Sequence, residues 1–168
     1  MFNEPQLTQM LPLRVAVVTT QGDPNLVSGP AMKALYGAVY KLKFERKQAG
    51  VLFKVAPLRA RWPDAHRVDK SQWTAHWALP VPADVSQLVQ KVPGVEVRLE
   101  TWEYGTVGQI LHLGEYVDET PTIQRLVDFI AAGGYEIAGT HEEEYLTRMD
   151  AKARRTFIRY PVRPRPVA

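Results

Sequence analysis

His141-Glu142-Glu143-Glu144-Tyr145-Leu146 is the stretch on which the second half of this chain turns. As helix, its three glutamates would form a solvated acidic face and mean little. As strand, alternation sends His141, Glu143 and Tyr145 to one side and Glu142, Glu144 and Leu146 to the other, so that one carboxylate stands beside an aromatic ring. The run is short and lies between a glycine-stopped helix and a further apolar segment, which favours a strand. One of its faces then meets the helices and the other faces solvent or a cleft.

The segments on either side fit that reading. Residues 114–134, GEYVDETPTIQRLVDFIAAGG, carry a helical stripe of Ile123, Leu126, Val127 and Ile130, and Gly133 and Gly134 follow as a stop. TVGQILHL before this helix and TFIRYPV after the acidic run both read as strands, which gives strand, helix, strand, strand. VEVRLETWEY, upstream of them, is a linking or partner strand.

The first half has the same order. RVAVVTT, residues 14–20, is a β-branched strand ended by the turn residues of QGDPN. Ser28 as N-cap and Pro30 in the first turn then open a helix running to about residue 47, with Met32, Leu35, Tyr36, Val39, Tyr40 and Leu42 as its apolar spacing. Gly37 inside it costs about 1 kcal/mol relative to Ala and marks a place for close packing. VLFKVAPLRARW forms one or two short strands, and QWTAHWALP alternates with Trp73, Ala75, Trp77 and Leu79 on one face. PADVSQLVQKV reads as a short helix beginning near Pro82 or Asp84. The expected fold is α+β, two strand-helix-strand-strand modules with both helices on one face of an antiparallel sheet.

Composition limits the function classes. The 168 residues are 45% hydrophobic and 23% charged, the balance of a globular protein, and are expected to form one domain with an ordered core at about 14–162 between short tails. No apolar run approaches the ~20 residues of a membrane helix, and no signal peptide is read at the N-terminus. Without cysteine there are no disulfides or thiolate metal sites, and a cytoplasmic setting is expected. The net charge of +3 is not taken as a nucleic-acid signature. Much of the surplus sits at the end of the first helix and in the Arg/Pro-rich tail, and no nucleic-acid-binding motif accompanies it. No two of His66, His76, His112 and His141 have a metal-ligand spacing, so neither a metal nor another cofactor is expected.

Five pieces in order resemble the GyrI-like small-molecule-binding family: TTQGDPN with ALYGAVYKLKF, FKVAPLRARW, GTVGQILHLGEYVDETPTIQRL, HEEEYL, and RTFIRYPV. The resemblance implies two modules related by a pseudo-two-fold axis, with a ligand cleft on the sheet face away from the helices. It also implies one of three roles. These are binding of small molecules, as in the effector domains of multidrug-sensing regulators; modulation of gyrase through a protein partner; and, in a stand-alone branch, hydrolysis of cyclopropane-bearing DNA-alkylating natural products. No fused DNA-binding domain is expected in a chain of this length. The glutamate of Glu-x-Tyr, here Glu143, would project into the cleft. Two positions depart from the pattern: Arg59 stands where relatives are commonly acidic, and Glu144 where they are apolar.

Two chemistries follow for Glu143. A carboxylate among rings loses hydration and its pKa is expected to rise. It can then meet an aromatic or cationic ligand, which repays the desolvation, or serve as general base toward water, with Tyr145 orienting that water. The expected catalytic residues are Glu143 and Tyr145. The expected ligand-binding set adds Tyr36, Tyr40, Trp62, Trp73, Trp77, Tyr104 and His141, the last sharing a strand face with Glu143.

Overall fold

The computed structural model describes residues 3–167. Among these residues lie nine strands, β1 (Gln6–Met10), β2 (Leu13–Gln21), β3 (Leu58–Trp62), β4 (Thr74–Pro80), β5 (Arg98–Trp102), β6 (Gly105–Leu113), β7 (Tyr135–Ile137), β8 (His141–Tyr145) and β9 (Arg155–Pro164). The two α-helices are α1 (Pro24–Gln48) and α2 (Thr120–Ala132). All strand pairings considered below are antiparallel, and the fold is α+β. The chain divides into two compact units, Leu13–Trp102 and the segments that flank it on either side.

Both units contain the expected strand, helix, strand, strand order, as β2-α1-β3-β4 and as β6-α2-β8-β9 with the short β7 inserted after α2, and they pair their strands alike. In the Leu13–Trp102 unit the order across the sheet is β3-β4-β2-β5; in the other it is β8-β9-β6-β1, with β7 also on β9. The acidic run is a strand, β8, as its position between α2 and β9 suggests.

In the flanking-segment unit the core is Ile110, Leu126, Ile130, Ile158 and Val162, where α2 covers one face of β6 and β9. The helix sits close because β6 has Gly108 beneath it: a Cβ there would lie 2.8 Å from Ile130 Cδ1. Gly133 and Gly134 end the helix, the second with φ +79°. In the Leu13–Trp102 unit α1 buries Ala31, Ala34, Leu35, Ala38, Val39 and Leu42. Small alanines thus take much of the stripe that the sequence assigns to Met32, Tyr36 and Tyr40, and Tyr40 is 53% exposed.

Several boundaries differ from expectation. Helix α1 starts a turn early: Asp23 is its N-cap, accepting from Asn25 N at 2.9 Å, and Ser28 and Pro30 lie inside it. Asp23 already offers an acceptor and Pro24 a preset φ, so the helix can nucleate there. Residues 82–92 form no helix. Instead Gln90 holds Val97 like a paired strand, accepting from its N–H and donating to its carbonyl, both at 2.8 Å. Lys91 packs against Gly37, where a Cβ would meet it at 3.3 Å. Of VLFKVAPLRARW only Leu58–Trp62 is strand. Residues before 14, read as a tail, include β1, which pairs with β6 from Gln6 opposite Gln109 to Met10 opposite Gly105.

Candidate functional site

Both faces of β8 are buried, which neither a solvated acidic face nor a strand with one wet side anticipates. Glu142, Glu143 and Glu144 are 1%, 8% and 8% exposed. Alternation separates them as the sequence suggests, and each side has a different partner set.

On one side Glu143 lies opposite Ile158 of β9, and Ile158 belongs to the core under α2. Glu143 therefore faces the helix-bearing side of its sheet, where the resemblance had implied the side away from the helices. His141 Nε2 stands 2.8 Å from Glu143 Oε1, and Tyr145 Oη donates to Glu143 Oε2 at 2.6 Å. His141 Nδ1 is 2.8 Å from Tyr160 Oη. Tyr116 packs edge-on against Tyr145 at 5.6 Å, and His141 against Tyr160 at 5.1 Å. Three tyrosines thus wall a carboxylate held by a histidine.

A second carboxyl completes the cluster. Glu119, 7% exposed, is the N-cap residue of α2, yet its side chain makes no cap hydrogen bond. Pro121 in the first turn offers no N–H to it. The side chain instead hydrogen-bonds Glu143. Backbone turns hold it there: Asp118 N donates to Glu115 O at 3.0 Å and Glu119 N to Tyr116 O at 3.2 Å. His112 braces the same turn, its ring nitrogens 2.8 Å from Thr122 Oγ1 and 3.0 Å from Glu115 O.

The two carboxyls have opposite electrostatics. Burial, then the charge of Glu143 and the hydrogen bond to it, push Glu119 up to about 9. Burial acts on Glu143 in the same direction and is its largest single influence. The His141 hydrogen bond and charge, with the hydrogen bonds from Tyr145 and Glu119, together outweigh it and hold Glu143 below the ordinary carboxylate range. The expected rise at Glu143 is thus overturned: the burial penalty appears on Glu119. At neutral pH one proton serves the pair and resides on Glu119. Tyr160 is pushed up to about 12 by burial and by the charges of Glu143 and Glu119, so it keeps its proton.

The opposite side of β8 is a separate buried charge cluster. Arg159 Nη2 meets Glu144 Oε2 at 2.6 Å, its Nη1 lies 3.7 Å from Glu142 Oε1, and its Nε donates to Gln109 Oε1 at 2.8 Å. Tyr104 Oη donates to Glu142 Oε1 at 3.0 Å. Tyr104 is therefore bonded on the face away from Glu143.

The other sequence-expected residues belong to the Leu13–Trp102 unit. Trp62 touches both Trp73 and Trp77 edge-on, at 5.7 and 5.3 Å. Trp77 Nε1 donates to Thr20 Oγ1 at 2.9 Å and Trp73 Nε1 to Val68 O at 3.1 Å. Tyr36 and Tyr40 stack at 6.3 Å on α1, with Lys43 Nζ 5.6 Å from the Tyr40 ring. The expected set thus resolves into an acid cluster of His141, Glu143 and Tyr145, a tryptophan trio, a tyrosine pair, and Tyr104. A concavity of about 400 Å³ in this unit, lined by Val18, Thr20, Val27, Ala31, Val95 and Arg98 among others, includes none of the acid-cluster residues.

Glu119, Tyr116 and Tyr160 are missing from the expected set. For Glu119 the sequence does hold a signal: Pro121 denies an N-cap carboxylate one of its usual donors.

A model of the GyrI-like small molecule binding domain matches residues 3–160. This chain belongs to the GyrI-like family. Among solved structures, an uncharacterized conserved protein from Listeria innocua superposes with TM-score 0.85 at 22% identity, covering 96% of this chain and 93% of its own. A protein described as a hydrolase from Listeria innocua gives 0.83 at 22% identity, over 96% and 92% of the two chains. The EcmrR C-terminal domain gives 0.59 at 12% identity, over 98% and 99%. These likenesses concern the fold. No curated protein matches the sequence. Among the described residues no helix is long and apolar enough to cross a membrane.

Proposed function

We propose that this GyrI-like chain hydrolyses electrophilic small molecules bearing a strained ring, with Glu143 as general base and Glu119 as general acid. The observation that carries the reading is the contact between two buried carboxyls, Glu119 and Glu143, whose surroundings push their pKa values in opposite directions. Pairs whose surroundings drive their pKa values apart supply an acid and a base at one pH. A carboxylate has about four lone-pair positions. Three donors, on His141, Tyr145 and Glu119, occupy Glu143, which leaves one lone-pair position to accept from a water.

In the reaction Glu143 takes a proton from that water as its oxygen bonds to a strained ring carbon. The ring C–C bond breaks, and its electron pair moves through the conjugated system to an oxygen, which receives the proton of Glu119. Transfer of a proton from Glu143 to Glu119 along their hydrogen bond restores the starting state, and the net change is addition of one water. Tyr145 orients Glu143, and Tyr116 and Tyr160 supply apolar walls. The Listeria innocua neighbours described as hydrolases agree with this reading.

Incubation with a cyclopropane- or epoxide-bearing aromatic substrate tests it by mass spectrometry. Many equivalents of the water adduct should accumulate per protein, and both Glu143→Gln and Glu119→Gln should lose them. One equivalent only, or unchanged turnover in either variant, overturns the proposal.

A second reading, binding of a lipophilic cation without turnover, is favoured by the charge that Glu143 retains among tyrosine rings. It expects Glu143→Gln to weaken a cationic ligand while a neutral analogue binds as before.

A further inference from the structure

Helix α1 carries apolar side chains on two opposite faces. Ala31, Ala34, Leu35, Ala38, Val39 and Leu42 form the buried one, against β2 and β4. The outer one runs along Leu26, Lys33, Tyr40 and Lys47, seven residues apart, with Tyr36 and Phe44 one turn to either side of Tyr40. Leu26, Tyr40 and Phe44 are 81%, 53% and 56% exposed, and Lys33 and Lys47 are exposed with them. Tyr36 stacks on Tyr40 at 6.3 Å, and past Gly50 the chain adds the exposed side chains of Val51 and Leu52. A contiguous exposed apolar stripe marks an interaction surface.

The charge available on this face has one sign. Glu45 is the sole acidic residue of α1 and is paired with Lys41 at 3.3 Å, while Asp23, the N-cap, lies 3.5 Å from Lys70. Arg46 is taken by Asp84 at 2.9 Å. Lys33, Lys43 and Lys47 make no ion pair among the described residues, and Lys43 Nζ lies 5.6 Å from the Tyr40 ring. Lys91 joins them, since its Cβ and Cγ lie 3.3 Å from where a Cβ on Gly37 would stand.

We propose that the outer face of α1 docks this chain on an anionic lipid surface, with α1 lying in the plane of the headgroups. Tyr36, Tyr40 and Phe44 enter the boundary between headgroups and acyl chains, where a tyrosine keeps its hydroxyl wet and its ring dry. Lys33, Lys43, Lys47 and Lys91 meet lipid phosphates, with their apolar stems against the same boundary. The stripe spans about 30 Å of a convex helix, a shape that suits a flat surface. The placement of the lysines separates lipid from other partners. Lys33 and Lys47 stand in line with Tyr40, so a protein partner would bury them within its interface, where lysine is depleted. Nucleic acid would use the lysines and leave Leu26 and Phe44 idle. The face lies in the Leu13–Trp102 unit and shares no residue with the carboxyl pair.

The test is co-sedimentation of the whole chain with vesicles of equal parts phosphatidylglycerol and phosphatidylcholine, against phosphatidylcholine alone. The expected result is salt-sensitive binding to the anionic vesicles only. Each of Lys33→Gln, Lys43→Gln and Lys47→Gln should weaken it about fivefold, the contribution of one lysine near such a surface. Phe44→Ser should weaken it about fivefold or more by losing the burial of its ring. Lys152→Gln, an exposed position in the other unit, should leave it unchanged. Equal binding to both vesicles, no binding to either, an equal loss in Lys152→Gln, or wild-type binding by Phe44→Ser overturns the proposal. The last of these, together with binding to a DNA duplex, would reassign the face to nucleic acid.

Discussion

Glu119 donates its carboxyl proton to the carboxylate of Glu143, joining the start of α2 to the centre of β8 inside one buried cluster. The proton has a consequence for stability. Folded Glu119 keeps it up to about pH 9, whereas an unfolded glutamic acid loses it near ~4.3. The stability it contributes is therefore full below ~4.3 and is lost as pH rises through 9. Thermal melts should show the wild type falling from about pH 5 to 9 relative to Glu119→Gln, whose profile flattens over that window. Parallel profiles would contradict the shared proton. Glu143 has the opposite sign, since stability from its lowered pKa is present above ~4.3 and is lost as pH falls through its folded value.

Tyr145→Phe separates the hydroxyl from the ring. The 2.6 Å bond to Glu143 is lost while the edge contact with Tyr116 at 5.6 Å can persist. Urea denaturation should show a loss of about 1.5–3 kcal/mol, typical for a hydrogen bond to a charged group. Turnover should fall as well, because Glu143 loses one of the donors that hold its orientation.

Arg159→Met should be the most damaging of these substitutions. It leaves Glu142 and Glu144, both deeply buried, without the guanidinium at 3.7 and 2.6 Å. Breaking a buried pair by removing one partner costs about 3–5 kcal/mol. A loss below 1 kcal/mol in urea denaturation would show that the cluster is wetter than its burial indicates.

Gly108→Ala tests the seating of α2. The new methyl would meet Ile130 Cδ1 and Cγ1 at 2.8 Å, so the helix must shift or Ile130 must change rotamer. Overpacking of this kind costs about 1–3 kcal/mol, and Ile130→Val should recover part of it by removing Cδ1. Since α2 also carries Glu119, the same variant should disturb the carboxyl pair.

The alternation of His141, Glu143 and Tyr145 against Glu142 and Glu144 was legible in the sequence because period two leaves no other arrangement for a strand. So were the repeated element order and the glycine stop after α2. The partner of Glu143 was not, since Glu119 lies far away in sequence and its carboxyl occupies a position that normally caps a helix. The protonation of Glu143 was missed for the same reason: burial alone raises a carboxylate pKa, and only the convergence of His141, Tyr145 and Glu119 reverses the sign. The false helix at 82–92 shows the limit of local propensity, because Gln90 can imitate a strand partner only once Val97 is beside it. β1 escaped notice because its pairing depends on β6, about a hundred residues away.

A titration of the glutamate side-chain carboxyls by carbon-13 NMR, with Glu119 and Glu143 assigned through their Gln variants, addresses the shared proton most directly. Glu119 should titrate near 9 and Glu143 below the usual carboxylate range. Both groups titrating together near ~4.3 would contradict the acid and base assignment.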